Sequence, residues 1–288
     1  MSSIAISQSY MPDSVSAPAQ KGRERAQFAL VIPTLCEAGN ILELLEEVRN
    51  VLDSVGVNYE ILVVDDESCD GTGELVKRVA ENDPRVRLLV RRGERGLSGA
   101  ILHGWRHSDA DVLGVMDADR QHPPALLPQL LQAILNDRDV AIGSRYTKGG
   151  ETGQWNLLRR LWSSMAVSVT LPLQQRGIRA KDPMSGYFLV RRTCLGDICF
   201  EQSGFKLLLE ILVRGRISSI QEIPFAFGQR ASGTSKANLR VARDFASLLL
   251  KLYANRLQLS GLKEQTKTVR NLPEAEEATS SERVTLRR

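Results

Sequence analysis

The feature that most constrains the fold of this chain is a repeated alternation between short apolar runs and segments with helical spacing. Five runs are largely apolar, at Phe28–Pro33, Tyr59–Val64, Val86–Val90, Val112–Met116 and Val140–Gly143. Such runs are typical of strands buried on both faces. After the first run, apolar residues recur three and four positions apart, at Ile41, Leu44, Leu45, Val48 and Leu52. The sequence therefore predicts an α/β domain, with a mostly parallel sheet and helices on both faces.

Further helices are predicted from Asp70 onward, over residues 96–108 and over residues 126–135. Acidic residues closely follow three of the predicted strands, at Glu37, Asp66, Asp117 and Asp119. In parallel sheets, ligands bind beyond the carboxyl ends of the strands. We therefore expect these four carboxylates to gather at one edge of the sheet.

The most informative spacing is Asp117-x-Asp119-x-Gln121. In an extended segment alternate side chains point the same way, so the three oxygen-bearing groups could converge on one point. Carboxylate and amide oxygens are ligands suited to Mg²⁺ or Mn²⁺, and such an ion could bridge a diphosphate. The alternative is an ordinary turn after a buried strand, where Asp is common.

Further sequence blocks accompany this motif in a fixed order. They are Val31–Glu37, Val63–Ser68 with Asp70–Thr72, Asp117–Pro124, Gly143–Tyr146, Asp182–Gly186, Gly204–Lys206 and Arg230–Lys236. In these blocks the sequence resembles the family-2 glycosyltransferases, most closely the dolichol- or polyprenol-phosphate mannose synthases. The resemblance extends over roughly residues 28 to 257, too many ordered blocks for a chance match.

The resemblance implies a GT-A, Rossmann-like domain over residues 27–260. The polar composition of residues 1–26 and 261–288, which show no periodicity, predicts disordered tails on either side. It places the nucleotide-sugar at Pro33, Leu35, Glu37, Val64, Asp66, Asp117, Ala118, Asp119, Lys206, Arg230 and Lys236. It assigns catalytic roles to Asp117, Asp119 and Arg145, and an Mg²⁺ or Mn²⁺ ion to Asp119 and Gln121. The acceptor phosphate would contact Arg145, Arg159 and Ser163. A capping turn is the other interpretation of Asp65 and Asp66, and for Asp65 we favour it.

Two apolar stretches, about residues 155–175 and 239–257, allow two interpretations. They could be core helices, or amphipathic helices lying in a membrane interface. The resemblance favours the interface, with the protein held peripherally on the cytoplasmic face. It leaves open whether a membrane-anchoring partner takes part. No transmembrane helix is expected, since the longest uncharged apolar stretch, Leu161–Gln175, is shorter than the roughly 20 residues required. The first residues lack the basic start and apolar core of a signal peptide.

Charge and composition limit the binding partners. The net charge of +4 suits an anionic substrate or membrane surface. Aromatic residues make up only 5% of the chain, which disfavours a surface for stacking nucleic-acid bases. The four cysteines have no Cys-x-x-Cys spacing, which disfavours a zinc site or a disulfide framework and indicates reduced thiols.

The expected reaction is inverting transfer of a hexose, in the first place mannose from GDP-mannose, onto a dolichyl or polyprenyl monophosphate. A phosphate with a second pKa of about 6 is already anionic at neutral pH, so no enzyme nucleophile is needed. His122, which precedes two prolines, is interpreted as structural.

Three alternatives remain open. A transferase could move glucose or another sugar from a UDP-sugar to undecaprenyl phosphate. A nucleotidyltransferase also uses paired carboxylates, but the blocks at 204–206 and 230–236 disfavour it. A non-catalytic subunit could bind lipid or a partner, although the intact Asp117, Asp119 and Gln121 disfavour this. Two positions depart from the family pattern: Cys36 stands where Asn is common, and Arg120 where an aliphatic residue is common.

Overall fold

A computed structural model of the chain describes residues 25–150, 165–175, 177–196, 198, 200, 206–226, 228, 243 and 245–254. The strands are β1 (Phe28–Thr34), β2 (Tyr59–Asp65), β3 (Val86–Val90), β4 (Val112–Val115), β5 (Val140–Ser144), β6 (Phe188–Arg191) and β7 (Ile220–Pro224). The helices are α1 (Ile41–Val55), α2 (Thr72–Asn82), α3 (Leu97–Arg106), α4 (Leu127–Leu135) and α5 (Leu207–Arg214). Residues 165–170 and 245–254 are also helical.

The strands form one sheet in the order β3-β2-β1-β4-β6-β5-β7. Strand β6 runs antiparallel to both of its neighbours, and the other neighbouring pairs are parallel. Strand β1 lies between β2 and β4, with Phe28 aligned to Tyr59 on one side and to Val112 on the other. The aligned carboxyl ends of these strands form the edge at which the predicted site residues lie.

Helices cover both faces of the sheet. Helices α1 and α4 bury their apolar sides on one face, in a cluster that includes Leu30 and Ile32 of β1. Helices α3 and α5 cover the other face, in a cluster that includes Ala29 and Val31. Because successive residues of β1 enter opposite clusters, the strand is apolar along most of its length. The predicted α/β class and mostly parallel sheet are confirmed.

The elements that the apolar pattern did not predict are β6, β7 and α5. Strand β6 has four residues, and β7, with five, contains the polar residues Gln221 and Glu222 rather than an apolar run. The sequence blocks at 182–186 and 204–206 lie directly before β6 and α5, so the resemblance marked their neighbourhoods without identifying the elements.

The helix predicted over residues 155–175 is too long at its carboxyl end. The described helix ends at residue 170, and residues 171–173 form a turn. Pro172 explains this end, because proline lacks a backbone N–H and disfavours helical backbone in the residue before it. Residues 155–164, 239–242 and 255–257 of the two predicted interface helices, and both predicted tails apart from Arg25 and Ala26, lie outside the described residues. Within the described ranges, no helix is both long and apolar enough to cross a membrane.

Helix α3 approaches the sheet most closely at Gly104. A Cβ atom there would lie 2.7 Å from Cγ2 of Val31 and 3.1 Å from Cγ2 of Val64. Both neighbours are fully buried in the central strands, so neither has room to move. Gly104 therefore sets the distance between α3 and the strands whose ends carry the site.

We predict that Gly104→Ala lowers the free energy of unfolding by about 1–3 kcal/mol, because the added methyl group overpacks the helix–sheet contact. The matched control is Gly73→Ala in α2, where the nearest atom to the added Cβ is Leu88 Cδ2 at 3.9 Å. That change should be neutral or stabilising by up to about 1 kcal/mol, since alanine favours helix. Urea unfolding measures both, and equal stability of the two variants would contradict the packing role of Gly104.

Candidate active site

The chain turns sharply after β4, and this turn carries the predicted metal site. The amide of Asp117 donates to Nδ1 of His122 at 3.1 Å, and the amide of Gln121 donates to Oδ1 of Asp119 at 3.1 Å. Residues 118 and 119 form a turn, and Arg120 has a left-handed backbone with φ of 61°. The expected extended segment with alternating side chains is therefore wrong, because the backbone reverses at Arg120.

His122 supports this turn from beneath. Its side chain is buried, stacks on Tyr187 with ring centres 5.0 Å apart, and meets the ring of Phe225 edge-on. Desolvation lowers the pKa of His122, against the opposing charges of Asp117 and Asp119. With Nδ1 as the acceptor for the Asp117 amide, the imidazole holds the turn in place.

The block at 182–186 reaches the same point from a distant part of the chain. Gly186 has no side chain, and a Cβ there would lie 2.9 Å from Oδ2 of Asp117 and 3.3 Å from the ring of His122. Glycine is thus required where the backbone passes the carboxylate. The hydroxyl of Ser185 donates to the carbonyl of Gly143 at 2.7 Å, which joins this segment to β5.

Arg145 is fixed by a buried ion pair at the end of β5. Its Nε and one terminal nitrogen each donate to Asp182 at 2.8 Å, and its backbone amide donates to the same carboxylate at 3.1 Å. Asp182 is completely buried. Desolvation lowers the pKa of Arg145, but the hydrogen bonds and charge of Asp182 raise it on balance. The guanidinium is therefore a permanent, oriented cation.

The acidic and basic groups of the site influence one another. Desolvation raises the pKa of Asp117, and the neighbouring charge of Asp119 adds to this effect. The positive charges of Lys206 and Arg145 lower the pKa of Asp117. Desolvation has the largest effect on Lys206 and lowers its pKa, and the charge of Arg145 lowers that pKa further. The structure thus brings Asp117, Asp119, Arg145 and Lys206 together, as the resemblance implied.

The predicted nucleotide pocket lies at the ends of β1 and β2. Pro33 and Val64 are register partners in the sheet. Leu35 and Glu37 follow in the next segment, both half-buried. Oε2 of Glu37 accepts a hydrogen bond from Nδ2 of the Asn40 side chain at 2.8 Å. These residues lie along the sheet edge on the β2 side of Asp117.

Asp65 and Asp66 have different partners. Asp65 accepts hydrogen bonds from the Thr34 hydroxyl at 2.7 Å and from the backbone amide of Ser68 at 2.8 Å, as expected for a turn-forming residue. The predicted nucleotide ligand Asp66 instead pairs with Arg91. Nε of Arg91 lies 2.7 Å from its Oδ1, and the amide of Gly96 lies 2.9 Å from its Oδ2.

Arg91 is a site-edge residue that our sequence interpretation missed. It is 4% exposed at its side chain, and its pair with Asp66 is buried on both sides. A signal was present, because Asp65 is the register partner of Val90, so the residues following β2 and β3 are neighbours. An acidic and a basic residue at these positions predict an ion pair once the register is known.

The donor atoms of the turn suit a hard cation. Asp119 offers a carboxylate, and the residue as a whole is 8% exposed. The Nε2 atom of Gln121 donates to the carbonyl of Gly228 at 3.0 Å, so its Oε1 is the atom that could ligate an ion. Among the described residues, no three or more His, Cys, Asp or Glu side chains are grouped as a metal site. An ion here would therefore need substrate or water oxygens to complete its coordination.

Four predicted site residues, Arg159, Ser163, Arg230 and Lys236, lie outside the described residues. Of the four cysteines, the three that are described are free thiols: Cys36 and Cys69 are exposed, and Cys194 is buried.

Comparisons with known proteins agree with this geometry. The family model for glycosyl transferase family 2 matches residues 29–199. Dolichol-phosphate mannosyltransferase of Pyrococcus furiosus is 43% identical over 210 residues, which cover 73% of this chain and 59% of that protein. The chain therefore spans less than two thirds of that relative. The corresponding protein of Saccharomyces cerevisiae is 34% identical, with 79% of this chain and 87% of that protein covered.

Solved structures share the fold at low sequence identity. Glucosyl-3-phosphoglycerate synthase of Mycobacterium tuberculosis, in complex with Mn²⁺, UDP-glucose and phosphoglyceric acid, aligns with a TM-score of 0.60 at 18% identity over 79% of each chain. Mannosyl-3-phosphoglycerate synthase of Rubrobacter xylanophilus aligns with a TM-score of 0.56 at 17% identity, over 89% of this chain and 79% of that chain. The expected GT-A fold is confirmed.

We predict that Arg91→Met lowers the free energy of unfolding by about 3–5 kcal/mol, because it leaves the Asp66 carboxylate buried without its cation. The double variant Arg91→Met/Asp66→Ala should recover part of this loss. The exposed neighbour Arg92 provides the control, and Arg92→Met should change stability by less than about 0.5 kcal/mol. Chemical denaturation measures all three variants, and equal effects at positions 91 and 92 would count against a buried pair.

Proposed function

The chain belongs to glycosyl transferase family 2, and we propose that it transfers a hexose from a nucleotide-sugar to the phosphate of a dolichyl or polyprenyl lipid. We take mannose from GDP-mannose as the first donor, in line with the sequence resemblance and with relatives that are dolichol-phosphate mannosyltransferases. The products would be the mannosyl lipid phosphate and GDP.

The observation that carries this proposal is the meeting of acids and bases at one sheet edge. Asp117 lies close enough to Asp119, Arg145 and Lys206 for the charges of all three to act on its carboxyl. Transfer between two phosphates requires such a site, because a cationic region must accept each anionic group while the sugar lies between them.

Asp119 and Gln121 have the oxygen donors that would hold Mg²⁺ or Mn²⁺ against the donor diphosphate. When bound, such an ion neutralises negative charge that develops on the departing diphosphate. Arg145, oriented by Asp182, presents a permanent positive charge to the acceptor phosphate. By resemblance, Arg159 and Ser163 join it there, and Arg230 and Lys236 contact the donor.

The chemistry needs no nucleophile from the protein. An oxygen of the lipid phosphate attacks the anomeric carbon of the sugar as the bond from that carbon to the diphosphate breaks. The electron pair of the broken bond leaves with the nucleoside diphosphate, and the configuration at the anomeric carbon inverts. The contribution of Asp117, Arg145 and Lys206 is to orient the reactants and to stabilise charge.

Transfer assays test the reaction directly. Purified protein is given polyprenyl phosphate with GDP-mannose, UDP-glucose or UDP-N-acetylglucosamine, with and without Mn²⁺. We expect transfer of mannose that depends on Mn²⁺, and Asp119→Ala should reduce the rate at least about hundredfold. The exposed Asp109 offers a control, since Asp109→Ala should keep the wild-type rate.

Each other result names a different function. Transfer from UDP-glucose instead of GDP-mannose would identify the glucose-type alternative. Lipid binding without transfer from any donor would indicate a non-catalytic subunit. Full activity of a folded Asp119→Ala variant would refute the proposed site.

The two helical stretches at 165–170 and 245–254 support binding to a membrane surface. Leu248 and Leu252 pack in a small cluster with Leu209 of α5, so the inner side of the second stretch belongs to the core. The hydroxyl of Tyr253 donates to the carbonyl of Val169 at 2.7 Å, which joins the two stretches.

Three outward-facing side chains on the same stretches are large and apolar. Met165, Val169 and Leu250 are 52%, 46% and 72% exposed. The exposed cations Arg243 and Lys251 accompany them. Apolar groups beside cations are typical of a surface that enters the interface of an anionic bilayer.

We predict that the protein sediments with vesicles containing anionic phospholipid, and that Leu250→Glu lowers the partition coefficient about tenfold. The matched control is Leu135→Glu, because Leu135 is also exposed, at 63%, but lies at the end of α4. That variant should bind like the wild type. Recovery of the wild-type protein entirely in the supernatant would exclude interface helices.

A further inference from the structure

Arg120 stands between the two residues that would hold the metal, and its backbone is strained. Its φ of 61° lies in the left-handed region, which residues other than glycine rarely adopt. For a residue with a Cβ, the left-handed conformation is disfavoured relative to the right-handed one by a factor of roughly five to thirty. A contact elsewhere must therefore hold the turn in this state.

The side chain of Arg120 supplies that contact by reaching helix α1. One terminal nitrogen of its guanidinium pairs with Glu43, and the other lies 2.6 Å from Oε1 of Glu47. The two glutamates are four residues apart and so lie one helical turn apart on the same side of α1. Since α1 is 15 residues long and buries an apolar side in the core, it is a firm support.

The strength of this contact matches the strain that it opposes. The exposed fractions of the side chains are 27% for Arg120, 62% for Glu43 and 41% for Glu47. Partly exposed pairs each shift an equilibrium by only about twofold to fivefold. Two ion pairs on one guanidinium thus offset the energetic cost of the left-handed backbone, and they add little further stability to the whole fold.

The other side of the turn is held as well. The backbone of Gln121 accepts a hydrogen bond from the amide of Gly228 at 3.1 Å, and its side chain donates to the Gly228 carbonyl at 3.0 Å. Arg120 is therefore the pivot between a segment tied to α1 and a segment tied to Gly228. The orientation of the two peptide planes that flank Arg120 therefore sets the directions of the Asp119 and Gln121 side chains.

We propose that Arg120 is a positioning residue, which Glu43 and Glu47 hold so that Asp119 and Gln121 are aligned to bind a divalent cation together with a nucleoside diphosphate. This role rests on the proposed function and specifies how its metal site is kept in shape. It differs from a donor contact, because the guanidinium is directed to α1 and acts on the site only through the backbone.

Binding of Mn²⁺ measured without turnover provides the first test. The electron paramagnetic resonance signal of free Mn²⁺ is titrated with protein in the presence of GDP. We expect Arg120→Leu to weaken Mn²⁺ binding about tenfold, and the double variant Glu43→Gln/Glu47→Gln to have a similar effect. Arg120→Lys should recover part of the affinity. Glu46→Gln, on the exposed side of the same helix, is the matched control and should bind like the wild type.

Arg120→Gly separates a positioning role from a ligand contact. Glycine adopts the left-handed conformation without penalty, so this variant should bind Mn²⁺ more tightly than Arg120→Leu although it removes more of the side chain. The triple variant Arg120→Leu/Glu43→Gln/Glu47→Gln should be no weaker than Arg120→Leu, because all three act through one contact. At saturating Mn²⁺, each variant should reach a kcat within about twofold of the wild type.

Three results would overturn the role of Arg120. These are unchanged Mn²⁺ affinity in a folded Arg120→Leu variant, equal loss in the Gly and Leu variants, or a raised KM for GDP-mannose with normal Mn²⁺ affinity. Thermal unfolding confirms that each variant is folded. Failure of the wild-type protein to bind Mn²⁺ with GDP would instead refute the proposed metal site itself.

Discussion

Burial of the central sheet on both faces is the constraint on which the rest of the molecule depends. Strands β1 and β2 have almost no accessible surface, because helices rather than water cover both faces of the sheet there. Charged groups are costly within such a sheet, so they concentrate where the strands end. Parallel pairing of β1, β2 and β4 then brings those ends together. The acidic residues of the candidate site lie at one edge because the carboxyl ends of these strands meet there.

The charges at that edge are balanced by partners from distant segments. Asp66 is matched by Arg91 after β3, and Arg145 after β5 is matched by Asp182 before β6. Both pairs are bidentate and mostly buried, so they fix geometry more than they add stability. Asp117 is different, because several groups act on its carboxyl at once: the charges of Lys206 and Arg145 lower its pKa, and that of Asp119 raises it.

Much of the fold could be predicted from the sequence, because long apolar runs and helical spacing report burial directly. The same pattern did not predict β6, which is only four residues long, or β7, whose apolar residues are interrupted by Gln221 and Glu222. The residues of the site followed from motifs, but their geometry did not. Alternation suggested that Asp117, Asp119 and Gln121 share one direction, whereas a left-handed Arg120 reverses the chain between them. That reversal depends on Glu43 and Glu47, more than 70 positions away, which no local pattern contains.

The place of β6 in the sheet links the order of folding to the appearance of the site. Strands β4 and β5 are consecutive in the chain, yet β6 lies between them, so their facing edges stay unpaired until residues 188–191 arrive. Contacts between such distant segments are slow to form, since the intervening chain must first be brought together. The residues just before β6 carry Asp182 and Gly186 to Arg145 and Asp117. During synthesis from the amino terminus, the insertion of β6 between β4 and β5 and the approach of Asp182 and Gly186 to the site are therefore one event.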